Sequence, residues 1–258
     1  MSTIATSTAR TGAARASALR ACMIEIRCEL LRLLREPAYV LPAVLFPVLF
    51  YVLFGVLLSG MGAPPAFLLA GYGVFGTIGA TLFGIGVGVA NEREQGLLRL
   101  RRALPAHAGG WLLAKMVAAM AFALAISLLL ALVGSTLGGV SLPASGWALL
   151  LVVNLLGVLP FAALGLLIGS LFGGNAAIAV VNVLFLPMVF LSGLWLPLSM
   201  LPDFFARLAP VWPAWHLGQI AFKVVGHDSG GALWLHVLAL LVPAAVFTHF
   251  ALRRLSPR

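Results

Sequence analysis

Apolar positions run almost unbroken through most of this chain, and the few polar stretches between them mark out its elements. Runs at about 39–59, 67–90, 111–137, 147–171, 176–195 and 232–251 each reach the roughly 18–20 residues needed to cross a bilayer as a helix. They predict an all-α polytopic membrane protein with six transmembrane helices. Residues 17–36 follow a different pattern. Leu19, Met23, Ile26, Leu30 and Leu33 share one helical face, and Glu25, Glu29, Arg32 and Glu36 share another. With Arg20, Arg27 and Arg35 added, this segment predicts an amphipathic helix in the membrane interface, serving as a surface anchor or as a contact for a partner. Pro37 ends it. Residues 1–16 are small and polar and predict a disordered arm, leaving 37–258 as the membrane domain.

Within the spans, small residues and prolines carry most of the local information. Gly84-x-x-x-Gly88 and Gly165-x-x-x-Gly169 predict packing seams where helix backbones approach closely. Pro160 predicts a kink. Asn154, Asn182, Ser127, Ser192, Thr77 and Thr81 are expected to bond between helices, each contributing about 0.6 kcal/mol. The stretch 196–231 is too broken for a plain span. Its Pro197, Pro202, Pro210 and Pro213, with Trp195, Trp212 and Trp215 around them, predict short re-entrant or interfacial helices at headgroup level.

Charge then orients the chain. The mean hydropathy of +1.10 excludes a soluble fold. The net charge of +9 is dispersed among the N-terminal arm, a central island and the C-terminal tail, so it implies topology rather than a nucleic-acid groove. The island, Asn91 to Pro105 and on to Lys115, holds five of the sixteen basic residues and two of the seven acidic ones. Six spans with both termini in the cytoplasm place fourteen of the sixteen basic residues there and leave only Arg207 and Lys223 outside. Leu97, Leu98, Leu100, Ala103 and Leu104 recur at helical spacing within the island, so 92–105 predicts a short amphipathic helix offered to a docking partner.

Several chemistries are missing. No span carries an evident buried charge, which argues against a proton- or sodium-driven transporter. His107, His216, His227, His236 and His249 stand at no metal-binding spacing, and no nucleophile sits beside a base, so neither a metal site nor an intramembrane enzyme is expected. There is no G-x-x-x-x-G-K-[ST] phosphate loop. Cys22 and Cys28 lie six apart on a predicted helix and point to different faces, which argues against a disulfide.

The island Glu92-x-Glu94-x-Gly96-Leu97-Leu98-x-Leu100, followed by Pro105 and by Lys115 at the head of a span, resembles the signature of type-2 ABC transporter permeases. Arg35-Glu36-Pro37 at the end of the first helix, Ser192-Gly193-x-Trp195-x-Pro197, Leu201-Pro202 and Pro210-x-x-Pro213 extend the likeness over nearly the whole chain. These permeases are the membrane subunits of ATP-driven exporters, among them bacterial drug and antibiotic-resistance systems and polysaccharide exporters.

The resemblance implies that the island is a coupling helix seated in a separate ABC ATPase subunit, which would hold the ATP and Mg. It also implies that residues 17–36, through Glu25, Glu29, Arg32, Arg35 and Glu36, form the connecting helix, that 196–231 closes the exit, and that two permease copies or close relatives pair within membrane lipid. In that role Gly96 would permit close approach, the leucines would bury against the partner, and Glu92 and Glu94 would gain from the dipole at the helix start. Leu97 stands where many members have Thr, and Arg101 and Arg102 make the second half of the island unusually basic. The expected cargo is a hydrophobic or amphipathic compound, with a polysaccharide or envelope precursor as the alternative. A non-transporting anchor or sensor is the reading from another class.

Overall fold

The computed structural model describes residues 20–59, 63–98, 100 and 108–255. Pro105, Arg101, Arg102 and the N-terminal arm lie outside the described residues. Among the described residues the chain is helical, without strands. Helix α1 occupies residues 20–34. Six helices long and apolar enough to cross a membrane follow: α2 (Pro37–Leu57), α3 (Pro65–Glu94), α4 (Ala108–Thr136), α5 (Ala144–Leu171), α6 (Gly174–Leu191) and α9 (Leu233–Leu255). Between α6 and α9 lie two single 3-10 turns, Leu198–Met200 and Ala209–Val211, and two short helices, α7 (Asp203–Leu208) and α8 (Pro213–Val224). The spans alternate in direction. One end of the bundle therefore collects α1 with the ends of α3, α5 and α9 and the starts of α2, α4 and α6; this is the charged end. The α6–α9 connection lies at the far end.

Helix α3 is the axis of the bundle. Its most apolar window is 89% buried, against 17% for α2 and α9. It packs on α2, α4, α5, α6 and α8. Aromatic pairs fix it at several levels: Phe67 stacks on Phe222 of α8 at 4.1 Å between centroids, and Phe75 stacks on Phe185 of α6 at 5.3 Å. Tyr39 of α2 sets its ring edge-on to Phe122 of α4 and donates its hydroxyl proton to the Ala80 carbonyl of α3 at 2.8 Å.

The two spans richest in irregularity contain π turns. In α2 these cover Leu41–Leu45 and Tyr51–Leu57, and Pro42 and Pro47 remove two backbone donors from the ladder there. In α3 a π segment covers Leu82–Val87. It carries Gly86, whose backbone meets α5. A Cβ added at Gly165 would stand 3.2 Å from the Gly86 nitrogen, and one at Gly169 would stand 2.7 Å from the Gly86 oxygen and from Val89 Cβ. The close backbone contact expected at Gly84-x-x-x-Gly88 is therefore made by Gly86 instead. Gly84 leaves room for the Tyr39 hydroxyl and Gly88 for the Arg32 guanidinium. The π turn shifts the glycine register, which simple i, i+4 counting does not anticipate.

Candidate functional site

Residues 91–94, the last turn of α3, connect it to α4, α5 and α6. Successive residues of an α-helix point about 100° apart, so one turn reaches neighbours on several sides. Glu92 is buried and accepts hydrogen bonds from Lys115 Nζ at 2.7 Å and from Trp111 Nε1 at 2.8 Å, both on α4. Arg93 donates to the carbonyls of Ser170 and of Phe172, the latter at 2.8 Å, closing the end of α5. Glu94 accepts the backbone N–H of Gly174 at 2.6 Å, at the first turn of α6, where the helix dipole favours a carboxylate. Asn91 lies against Gly174, which has no side chain to obstruct it.

Lys115 is the hub of this end. It is 1% exposed, and its ammonium also donates to Glu29 Oε1 of α1 at 2.9 Å while lying 5.5 Å above the Trp111 ring. Arg32 completes the cluster, bonded to Glu29 at 2.6 Å and standing 3.9 Å from Glu92. Two carboxylates and two cations balance, so the group tolerates burial that would exclude any one charge alone. Burial by itself would raise the Glu29 carboxyl, but Lys115 and Arg32 outweigh it and hold its pKa below the ordinary carboxylate range. The spans thus do carry buried charges, Lys115 and Glu92. Both sit at the charged end, paired, rather than mid-membrane.

Two further expectations change here. Glu92 and Glu94 end α3 rather than begin a new helix, so the dipole of their own helix opposes them, and Lys115, Arg32 and the α6 start supply the compensation. The break falls at Gln95–Gly96, where Gly96 takes φ +75, a left-handed conformation that ends helices. Gly96 makes this turn, and a Cβ there would meet no atom of this chain within 4 Å. Beyond it, residues 97, 98 and 100 are helical again, with Leu97 40% and Leu100 62% exposed and Leu98 half-buried.

Helix α1 brings residues of both its charged and its apolar face to the bundle. Glu25, Glu29 and Leu33, one turn apart, form the stripe against the bundle, with the Glu25 carboxylate beside Gly110. Met23, Ile24 and Leu34 point away, and Arg35 and Glu36 are exposed. Between α1, the end of α3 and the start of α4 lies a cavity of about 340 Å³ lined by Glu25, Glu29, Glu36 and Glu92 among others.

A larger cavity, about 520 Å³, runs between α2, α3 and α6. Phe46, Phe50, Phe75, Phe83, Phe185 and Trp195 line its length, and Arg32, Glu36 and Asn91 line its charged-end mouth. Trp195 closes the far side, with its ring 5.6 Å from both Phe50 and Phe75. Of the other residues singled out in that segment, Pro197 precedes the first 3-10 turn, Pro202 caps α7, Pro210 lies in the second 3-10 turn and Pro213 opens α8. Each provides a fixed φ where a helix begins. His216 of α8 and His236 of α9, twenty residues apart, meet with Nδ1 atoms 3.0 Å apart, and His216 Nε2 lies 2.9 Å from the Pro210 carbonyl. Among the described residues no three His, Cys, Asp or Glu gather as metal ligands, and both cysteines are free.

Lys115, Trp111 and Arg93 were assigned no site role from sequence. The available signal was a single lysine inside the otherwise uncharged run Trp111–Phe122. Such a lysine demands a counter-charge, but its partners lie 86 and 23 residues away.

The chain is similar in sequence to known membrane proteins. The chain is 27% identical to the protein described as transport permease YvfS of Bacillus subtilis over 223 residues, covering 85% of this chain and 90% of the relative. It is 35% identical to Nodulation protein J of Sinorhizobium fredii over 116 residues, covering 45% of this chain and 44% of that protein. A family profile described as ABC-2 type transporter matches residues 20–224, from α1 through α8. This multi-pass membrane protein belongs to the ABC-2 type transporter family.

Proposed function

We propose that the chain is the permease subunit of an ATP-driven exporter that moves a hydrophobic or amphipathic molecule out of the cytoplasm or the inner leaflet. The observation that carries this reading is the cavity between α2, α3 and α6. An aromatic wall follows a mouth of Arg32, Glu36 and Asn91, so one molecule can place an apolar body in the bundle and a polar head at the charged end. In this reading the charged end is cytoplasmic, in keeping with the distribution of basic residues.

Two ATPase subunits holding ATP and Mg would dock there on the exposed leucines 97 and 100, and the bundle would pair with a second copy or close relative. Movement of the segment beyond Gly96 would pass into the last turn of α3, and through Glu92, Arg93 and Glu94 into α4, α5 and α6 together. The segment at 196–231, with Trp195 against the cavity, would act as the outer gate. The same aromatic wall favours a second reading, export of a polysaccharide or envelope precursor, because flat sugar faces stack on rings.

The test is co-purification and transport with the ATPase encoded beside this chain. The native chain should hold that ATPase at one to one, and Leu97→Asp with Leu100→Asp should lose it. In vesicles, ATP should drive loss of amphipathic dyes from the inner leaflet, and Phe185→Ala should weaken it. Transport of a lipid-linked glycan but no dye would select the second reading. Absence of both ATPase binding and transport would refute the proposal and favour an anchor or sensor.

A further inference from the structure

On another face of α3 from the large cavity lies a smaller one of about 180 Å³, bounded by α3, α4 and α5. Leu69, Ala70 and Gly73 of α3 line it, whereas Phe75, Gly76 and Gly79 of the same helix face the larger cavity. Its polar groups are Asn154 of α5 and Ser127 of α4. Asn154 is 4% exposed, and its Nδ2 donates to Ser127 Oγ at 2.8 Å. Gly73 makes the placement possible, since a Cβ there would stand 2.8 Å from Asn154 Nδ2. Asn154 Oδ1 has no partner.

We infer that this pocket is a binding site for a small hydrophobic alcohol, with its hydroxyl on the Asn154 amide and its apolar body between α4 and α5. The chemistry follows from the amide. If the amide is rotated, Ser127 donates to Oδ1 and Nδ2 becomes the unmet atom, so either orientation leaves one function open. A hydroxyl both donates and accepts and satisfies either orientation; a hydrocarbon satisfies neither. An isolated water needs two to four polar partners, and beyond this pair the side chains lining the pocket are apolar apart from the Trp147 indole. A cavity of about 150 Å³ accepts the six carbons of benzene, so the space here suits about seven heavy atoms, and a longer tail leaves through the open flank. Leu128 is 55% exposed and Ala148 is exposed at the rim, so the pocket opens on the apolar flank of the bundle, within reach of molecules dissolved in the bilayer. The inference does not depend on the transported cargo, because the pocket and the larger cavity use different faces of α3.

The experiment is photolabelling of the purified full chain in lipid nanodiscs with a diazirine-bearing n-octanol. The same diazirine alkane without the hydroxyl is run in parallel, and labelled peptides are mapped by mass spectrometry. The octanol probe should label the middle of α4 and the first half of α5 saturably and in competition with benzyl alcohol, while the alkane labels the lipid-facing surface without saturation. Asn154→Leu should weaken the octanol site by about three- to ten-fold, as expected for one hydrogen bond to a buried amide. Ala148→Phe, an exposed rim position, should block it, and this variant carries the test if Asn154→Leu fails to fold. Equal, unsaturable labelling by both probes would overturn the inference, as would octanol labelling unchanged in Ala148→Phe or in folded Asn154→Leu.

Discussion

Replacing Lys115 by Met removes the buried cation bonded to two buried carboxylates. Its ammonium lies 2.7 Å from Glu92 and 2.9 Å from Glu29. At an effective dielectric constant of about 20, each attraction is about 6 kcal/mol before desolvation. Desolvating the three groups takes back much of that in the native protein. The variant keeps the desolvation of both carboxylates and loses the attraction, leaving them with Arg32, whose side chain is 34% exposed and therefore screened. The expected net loss is about 3–5 kcal/mol, as for other buried pairs broken on one side. In a chain of this length that corresponds to a fall in Tm of about 10 °C.

The assay is thermal unfolding in detergent followed by tryptophan fluorescence, with Glu92→Gln combined with Lys115→Met as the second arm. The double variant no longer crowds two carboxylates and should recover most of the loss. pH provides a third arm. Glu29 has a depressed pKa in the native fold, so its contribution is present above the ordinary carboxylate pKa and is lost as pH falls through the folded value. Lys115→Met has already lost the Lys115 part of that contribution and keeps only that of Arg32, so the gap between parent and variant should narrow on acidification. A variant that melts with the parent, or a double as unstable as the single, would refute the account of Lys115 as hub.

Other outcomes follow from the same geometry. Gly169→Ala must push its Cβ against the Gly86 oxygen, so α3 and α5 part at a cost of about 1–3 kcal/mol. Gly96→Ala meets no atom and costs only the roughly 1 kcal/mol of its left-handed backbone; a smaller loss for Gly169→Ala than for Gly96→Ala in parallel melts would count against the seam. Glu94→Gln weakens a charge-assisted bond to the Gly174 N–H, and amide exchange over the first turn of α6 should rise several-fold; unchanged protection there would mean the bond is idle. His216 is held below the ordinary imidazole range, by burial first and by His236 next, against the pull of the Pro210 carbonyl. A base with a depressed pKa favours the neutral folded form, so its contribution is full above about pH 6.5 and lost as pH falls below that toward the folded value. His216→Gln should flatten this part of the Tm profile, and parallel profiles would contradict the assignment.

The six spans were legible because each is a long run with almost no charge, and nothing else in the chain competes with that signal. Their arrangement was not. Helix α3 is apolar all round, so no face of it advertises a neighbour, and only coordinates reveal it as the axis. Glu92 and Glu94 stood out in the motif, but what they hold did not, since Lys115, Ser170, Phe172 and Gly174 are brought to them by tertiary packing alone. Periodicity divided α1 into an apolar and a charged face; which residues of each met the bundle depended on Lys115 drawing Glu29 inward. The His216–His236 contact joins two helices across a glycine-rich connection whose path no spacing rule describes.

The widened stretch Leu82–Val87 has a consequence for how this chain can vary. Each residue of an α-helix advances the phase by about 100°, and a π turn absorbs a residue that an α turn would not. Everything after Val87, including the four side chains at 91–94, is therefore aimed by how many residues lie between Thr81 and Gly88 rather than by which ones. Removing any one of the six would let α3 relax to a plain helix and rotate that whole last turn, swinging Glu92 away from Lys115 and Arg93 away from the end of α5. Side chains within the stretch can change with local effects only, but its length sets the direction of a lever about one to two turns away.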